Sequence, residues 1–162
     1  MLRARLIPSL CLALCACDAA GEDGGLDPTA DTELVSPPAG GCATEDRADR
    51  YELGLRRIGE RLQVVILDAT PAPPSRGDNT WIVRIEDDAG VPQPARIEVT
   101  PFMPDHQHGS SIEARIDRGA EDGEFVIERV NFFMPGLWEV TLDLTLDDGS
   151  QDAVVFRFCI DP

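Results

Sequence analysis

The chain has 162 residues, 43% of them hydrophobic, which is enough for one domain with its own core and short for two. A formal net charge of −16 and a sequence pI of about 4.3 exclude the basic patches that phosphate backbones require, so nucleic acid is not an expected partner. All 14 basic residues are arginines, and the absence of lysine excludes Schiff-base chemistry and a lysine general base.

Met1-Leu2-Arg3-Ala4-Arg5 places positive charge ahead of an apolar run over residues 6–16. That run is too short to cross a bilayer and reads as a secretory signal. Its end, Leu14-Cys15-Ala16-Cys17, resembles the bacterial lipobox, with a Leu three residues before the cleavage bond and a small residue just before it. Residues 1–16 are therefore expected to be removed, leaving Cys17 as an acylated first residue; an ordinary secretory signal with incidental cysteines is the alternative. Several acyl chains hold a protein stably on a membrane. The expected location is the cell envelope, on a bacterial membrane, facing the periplasm or the outer surface. Residues 17–41 are rich in Gly, Asp, Pro, Ala and Thr and cannot bury enough apolar surface to offset ordering, so they read as a flexible acidic tether.

With Cys11 and Cys15 lost and Cys17 acylated, Cys42 and Cys159 remain as an even pair in an oxidising compartment. A disulfide between them would tie the start of a folded domain, residues 42–162, to its last strand. Two thiolate metal ligands are the rival reading. Residues 43–61 are mixed and charged, and residues 47–58 are expected to form a helical turn or two.

From residue 62 the pattern is β structure, with apolar runs separated by Gly, Pro and Asp turns. Residues 62–67 form a continuous apolar run. Trp81, Val83 and Ile85 alternate with polar neighbours, as do Ala95, Ile97 and Val99, then Ile112, Ala114 and Ile116. Residues 125–130 give a further run, Trp138 to Leu146 the cleanest alternation, and Val154, Phe156, Phe158 and Ile160 the last. This register points Cys159 away from the core, so Cys42 would reach it from outside. Seven short strands with half-apolar faces predict an all-β fold, a seven-stranded immunoglobulin-like antiparallel sandwich, with a small barrel as the alternative.

Chemistry concentrates in Pro101-Phe102-Met103-Pro104-Asp105-His106-Gln107-His108-Gly109, echoed by Phe133-Met134-Pro135-Gly136. Beyond the initiator, Met103 and Met134 are the chain's methionines, and His106 and His108 its histidines. Thioether and imidazole donors suit copper(I), so Met103, Met134, His106 and His108 form the candidate metal site. The competing reading is packing: methionine beside phenylalanine and proline fills cores, and a His-x-His pair before Gly is often a solvated turn. The acidic pairs Asp87-Asp88, Glu121-Asp122 and Asp147-Asp148 precede glycines and read as turn chemistry. Ser110 and Ser111 lie near the histidines, but no nucleophile elbow surrounds them, and no phosphate-binding glycine loop or zinc spacing occurs, so an enzyme is not expected.

Residues 73–81, 103–109, 123–125 and 134–140 together resemble the YtkA-like domain, over about residues 62–160. That resemblance implies an exported, often lipid-anchored sandwich related in architecture to the CopC-type copper proteins. It also implies Met103, His106, His108 and Met134 as ligands, with copper as the cofactor and a copper-handling or oxidase-assembly protein as partner. Family members commonly show Met-Pro-x-His-Gly-His, where this chain has Gln107 in place of the Gly. A structural or protein-interaction module of the envelope, with no metal, is the other function these features allow.

Overall fold

The structure is a computed structural model that describes residues 41–93 and 95–162. The signal over 1–16, Cys17 and the tether up to residue 40 lie outside the described residues. Nine strands occur among the described residues: β1 Arg56–Ile58, β2 Leu62–Thr70, β3 Gly77–Asp87, β4 Ala95–Met103, β5 His108–Gly109, β6 Arg115–Arg118, β7 Glu124–Phe132, β8 Gly136–Leu146 and β9 Gln151–Ile160. They pair antiparallel into a five-stranded sheet ordered β1-β2-β3-β7-β6 and a four-stranded sheet ordered β5-β4-β8-β9. The two sheets form the expected sandwich, with two strands more than the seven read from alternation. The additions, β1 and β5, are three and two residues long, too short to carry a period-2 signal.

The core is built from the inward half of each alternation. In β9, Val154, Phe156, Phe158 and Ile160 are buried while Val155, Arg157 and Cys159 are half-buried. Trp81 from β3 and Trp138 from β8 are both fully buried. Trp81 packs against Phe132, Phe156 and Phe158 at centroid distances of 6.4, 6.1 and 5.4 Å. Each such side chain removed from water contributes about 1.5–3 kcal/mol, and this double layer of aromatic and branched residues holds the sheets together.

Two expectations are corrected. Residues 47–58 form no helix: Asp49 bonds β9, a turn closes from the Leu55 N–H to the Glu52 carbonyl, and β1 follows. Pairing of this segment with the sheet edges outweighs its weak helical propensity. The only helical turn among the described residues is a 3-10 turn at Gly41–Thr44. The strand expected over 112–116 begins only at Arg115, because Ser110 Oγ accepts from the Ile112 N–H and holds the preceding residues in a bend.

Cys42 and Cys159 are joined by a disulfide with Cα atoms 5.4 Å apart, and Cys159 does face outward from the core. Closing 117 residues of chain is worth about 4–5 kcal/mol in the chain-entropy model. From this staple the chain runs along the free edge of β9, where the Asp49 N–H donates to the Arg157 carbonyl at 2.7 Å and the Arg157 N–H to Asp49 Oδ2 at 2.8 Å. Residues 42–49 thus form a strap that occupies backbone groups an edge strand otherwise leaves open.

The two sheets are also tied by Asp152 of β9. Its carboxylate accepts from the backbone N–H groups of Glu60, Arg61 and Leu62 at 2.8, 2.9 and 2.8 Å, closing the β1–β2 turn of the other sheet. Burial pushes this carboxyl up, and the backbone donors together outweigh burial and hold it below the ordinary aspartate value.

Candidate functional site

The β4–β5 hairpin carries the histidines at one end of the sandwich. Met103 and His108 are Cα partners across it, so Pro104 to Gln107 form a four-residue turn, closed by the Gln107 N–H donating to the Met103 carbonyl at 2.9 Å. Pro104 fixes its own φ at the entry of the turn. Gln107 sits in the left-handed region with φ of 57°, the conformation that glycine adopts without strain. Its side-chain amide donates back to the Pro104 carbonyl, a local bond that supports the unusual backbone.

Alternation carries through β4 from Ala95 and Ile97 to Met103, which is fully buried. Directly paired residues of an antiparallel ladder project to the same face, which sets His108 above the same end of the core as Met103. The His106 and His108 ring centroids are 5.7 Å apart. With metal–nitrogen bonds of about 2 Å and roughly 1.2 Å from nitrogen to ring centre, two imidazoles on one metal place their centroids about 5–6.5 Å apart, and the observed spacing falls in that range.

The segment 133–136 arrives beside them from the β7–β8 connection. Phe133 stacks on His108 at 5.5 Å and 27° and meets Trp138 edge-on at 5.4 Å. The Arg76 Nε–H donates to the Phe133 carbonyl at 3.0 Å, and the Trp138 Nε1–H to the Met134 carbonyl at 3.0 Å, fixing both residues' backbone. Met134 is half-buried against the core. Gly136 has φ of 123°, and a β-carbon there would lie 2.9 Å from the Met103 Cε. The two Phe-Met-Pro segments are therefore neighbours in space: the glycine ending the second makes room for the thioether of the first.

The structure thus gathers His106 and His108 by ring contact and His108 and Met103 by register, while Met134 follows Phe133 in the chain and packs against the core. Met103 also does the work of a core side chain. Among the described residues no three His, Cys, Asp or Glu side chains are grouped as a metal site, so a centre here would depend on thioether sulfur. Neither serine hydroxyl bonds a histidine among the described residues; the Ser110 hydroxyl serves its own bend. The acidic pairs act in turns, Asp87 Oδ1 accepting from the Ala89 and Val91 N–H groups.

Sequence reading missed Arg47. Its guanidinium donates to Asp105 Oδ1 and Oδ2 at 2.8 and 2.7 Å, and to Glu45 Oε1 and Oε2 at 2.8 and 2.6 Å. These bonds hold the Asp105 and Glu45 carboxyls below the ordinary carboxylate range. No periodicity or motif links Arg47 to a turn 58 residues away.

Fold and rim together define a two-sheet antiparallel sandwich with a Met/His-bearing hairpin at one end. A family model described as YtkA-like matches residues 60–143, just over half of the chain, and the protein belongs to the YtkA-like family. That span takes in both Phe-Met-Pro segments and leaves out the strap and β9. No curated protein matches the chain. Among solved structures, a DUF4426 family protein from Pseudomonas aeruginosa PAO1 is similar at 13% identity, over 67% of this chain and 97% of its own, with a TM-score of 0.49.

Proposed function

We propose that this protein is an exported, lipid-anchored and non-catalytic sandwich that binds copper at the β4–β5 rim and serves as a chaperone, buffer or assembly factor. The observation that carries the reading is the pairing of the chain's two histidines at 5.7 Å in a hairpin whose opposite residue is Met103. His106 and His108 supply imidazole nitrogen, and Met103 and Met134 supply the soft sulfur that favours copper(I) over harder divalent ions. Cys17 supplies the anchor, and the partner is a copper-handling or oxidase-assembly protein.

Complete burial of Met103 favours a second reading, in which the rim is packing alone and the protein is an interaction module of the envelope. One titration separates them. The protein without residues 1–16 and with Cys17→Ser is titrated with Cu(I) against a chromophoric competitor. The copper reading expects one ion bound per chain and loss of binding in His106→Ala/His108→Ala; equal affinity in that double variant leaves the interaction module.

A further inference from the structure

Arg47 engages the turn that carries both histidines through Asp105, the carboxylate next to His106 in the chain. Asp105 precedes His106 directly, and a free carboxylate there would complete a His, His, Asp donor set of the kind that binds zinc and other hard or borderline divalent ions. Both its oxygens are instead taken by Arg47. We propose that Arg47 is a specificity-determining positioning residue: it fixes the His106-Gln107-His108 turn and withholds Asp105 from it, biasing the rim toward a soft ion. This deepens the copper reading and rests on it.

An exposed ion pair is ordinarily weak, because two long side chains must give up rotamer freedom to meet. Arg47 departs from that case in three ways. Its Nη1 and Nη2 grip Asp105 in a fork while Nε and Nη2 grip Glu45 in a second, so the guanidinium plane is fixed from both edges. The Arg47 backbone N–H also donates to Glu45 Oε1 at 2.9 Å. The strap that carries it is stapled on one side by Cys42–Cys159 and bonded on the other through Asp49 to Arg157. The clamp therefore starts from an anchored backbone. Two carboxylates against one guanidinium leave a single net negative charge at the turn, and the fork directs both Asp105 oxygens at Arg47.

The test uses the full-length chain, with Cu(I) and Zn(II) as probes and hydrogen exchange of the 103–109 segment as a metal-free readout. Arg47→Ala is expected to speed exchange in that segment and to tighten Zn(II) binding about tenfold, the scale on which residues supporting ligands act. Arg47→Ala/Asp105→Asn should cancel the zinc gain, because the oxygen ligand is gone, and Arg47→Lys should fall between, lacking the fork. A merely structural Arg47 would move stability without moving the zinc-to-copper ratio. Unchanged exchange in Arg47→Ala, or an unchanged metal ratio, overturns the proposal. Failure of the wild-type chain to take Cu(I) sinks the copper function separately, and the zinc comparison between wild type and Arg47→Ala still decides the clamp.

Discussion

Gly136 and Met103 are locked together: a β-carbon on the glycine would stand 2.9 Å from the thioether methyl. The glycine also holds φ of 123°, outside the reach of L side chains. Gly136→Ala is therefore expected to cost about 1–3 kcal/mol, chiefly from backbone strain because the Met103 methyl ends a flexible chain and can shift. Chemical denaturation measures it. Measured in a Met103→Ala background, Gly136→Ala should cost less by the steric part and keep the strain; no cost at all in that background would mean that the backbone at 136 is not strained.

Asp152 makes the fold acid-sensitive in a definite direction. Its folded value is depressed, so its contribution is complete above the unfolded aspartate value, near about 4, and is lost as pH falls through the lower folded value. Asp105 and Glu45 are depressed as well and act in the same sense. Melting temperature should be flat from neutral pH to about 5 and fall steeply below about 4. Asp152→Ala strands the Glu60, Arg61 and Leu62 donors and is expected to cost about 2–4 kcal/mol at neutral pH, with a shallower acid slope. Gly59→Ala should resemble it, since a β-carbon at 59 would lie 2.3 Å from Asp152 Oδ1. An acid slope equal to wild type in Asp152→Ala would contradict the assignment.

Much of the frame was legible because alternation is a direct print of which face a residue occupies. Val154, Phe156, Phe158 and Ile160 point inward, so the parity of Cys159 alone gave its outward direction. The same parity extended from Ala95 and Ile97 reaches Met103 and gives its burial, a step that the strand read over 95–99 stopped short of. What the chain does not print is contact between segments without a period. Arg47 meets Asp105 because a disulfide lays the strap along β9, and the strap's local sequence resembles a weak helix. The seat of Met103 beside Gly136 depends on two sheets closing, and periodicity within one strand carries no information about that.

The left-handed Gln107 gives an ordered series of variants. A non-glycine residue in this region costs about 1–2 kcal/mol, offset here by the bond from its amide to the Pro104 carbonyl. Gln107→Gly removes both the strain and the bond and is expected to stay within about 1 kcal/mol of wild type. Gln107→Val keeps the strain, loses the bond and adds a β-branch that resists φ of 57°, so it should be the least stable, by about 1–2 kcal/mol. Denaturation midpoints ranked with Val above Gly would mean that the turn does not adopt this backbone.

The Cys42–Cys159 staple supports the strap from outside the core, so its removal should leave the sandwich folded but less stable. Cys159 is half-buried on the outer face, and Phe158 and Ile160 on either side keep their packing when the bridge is cut. Cys42→Ser/Cys159→Ser is expected to lose up to about 4–5 kcal/mol, the chain-entropy value for this loop, and to unfold in one transition. Hydrogen exchange should then rise first over residues 42–49, whose remaining ties are the Cys42 N–H with Asp161, Arg47 with Asp105, and Asp49 with Arg157 and Arg57, and later over β8 and β9. Simultaneous loss of protection in the strap and in β9 would show instead that the bridge holds the sheet itself together.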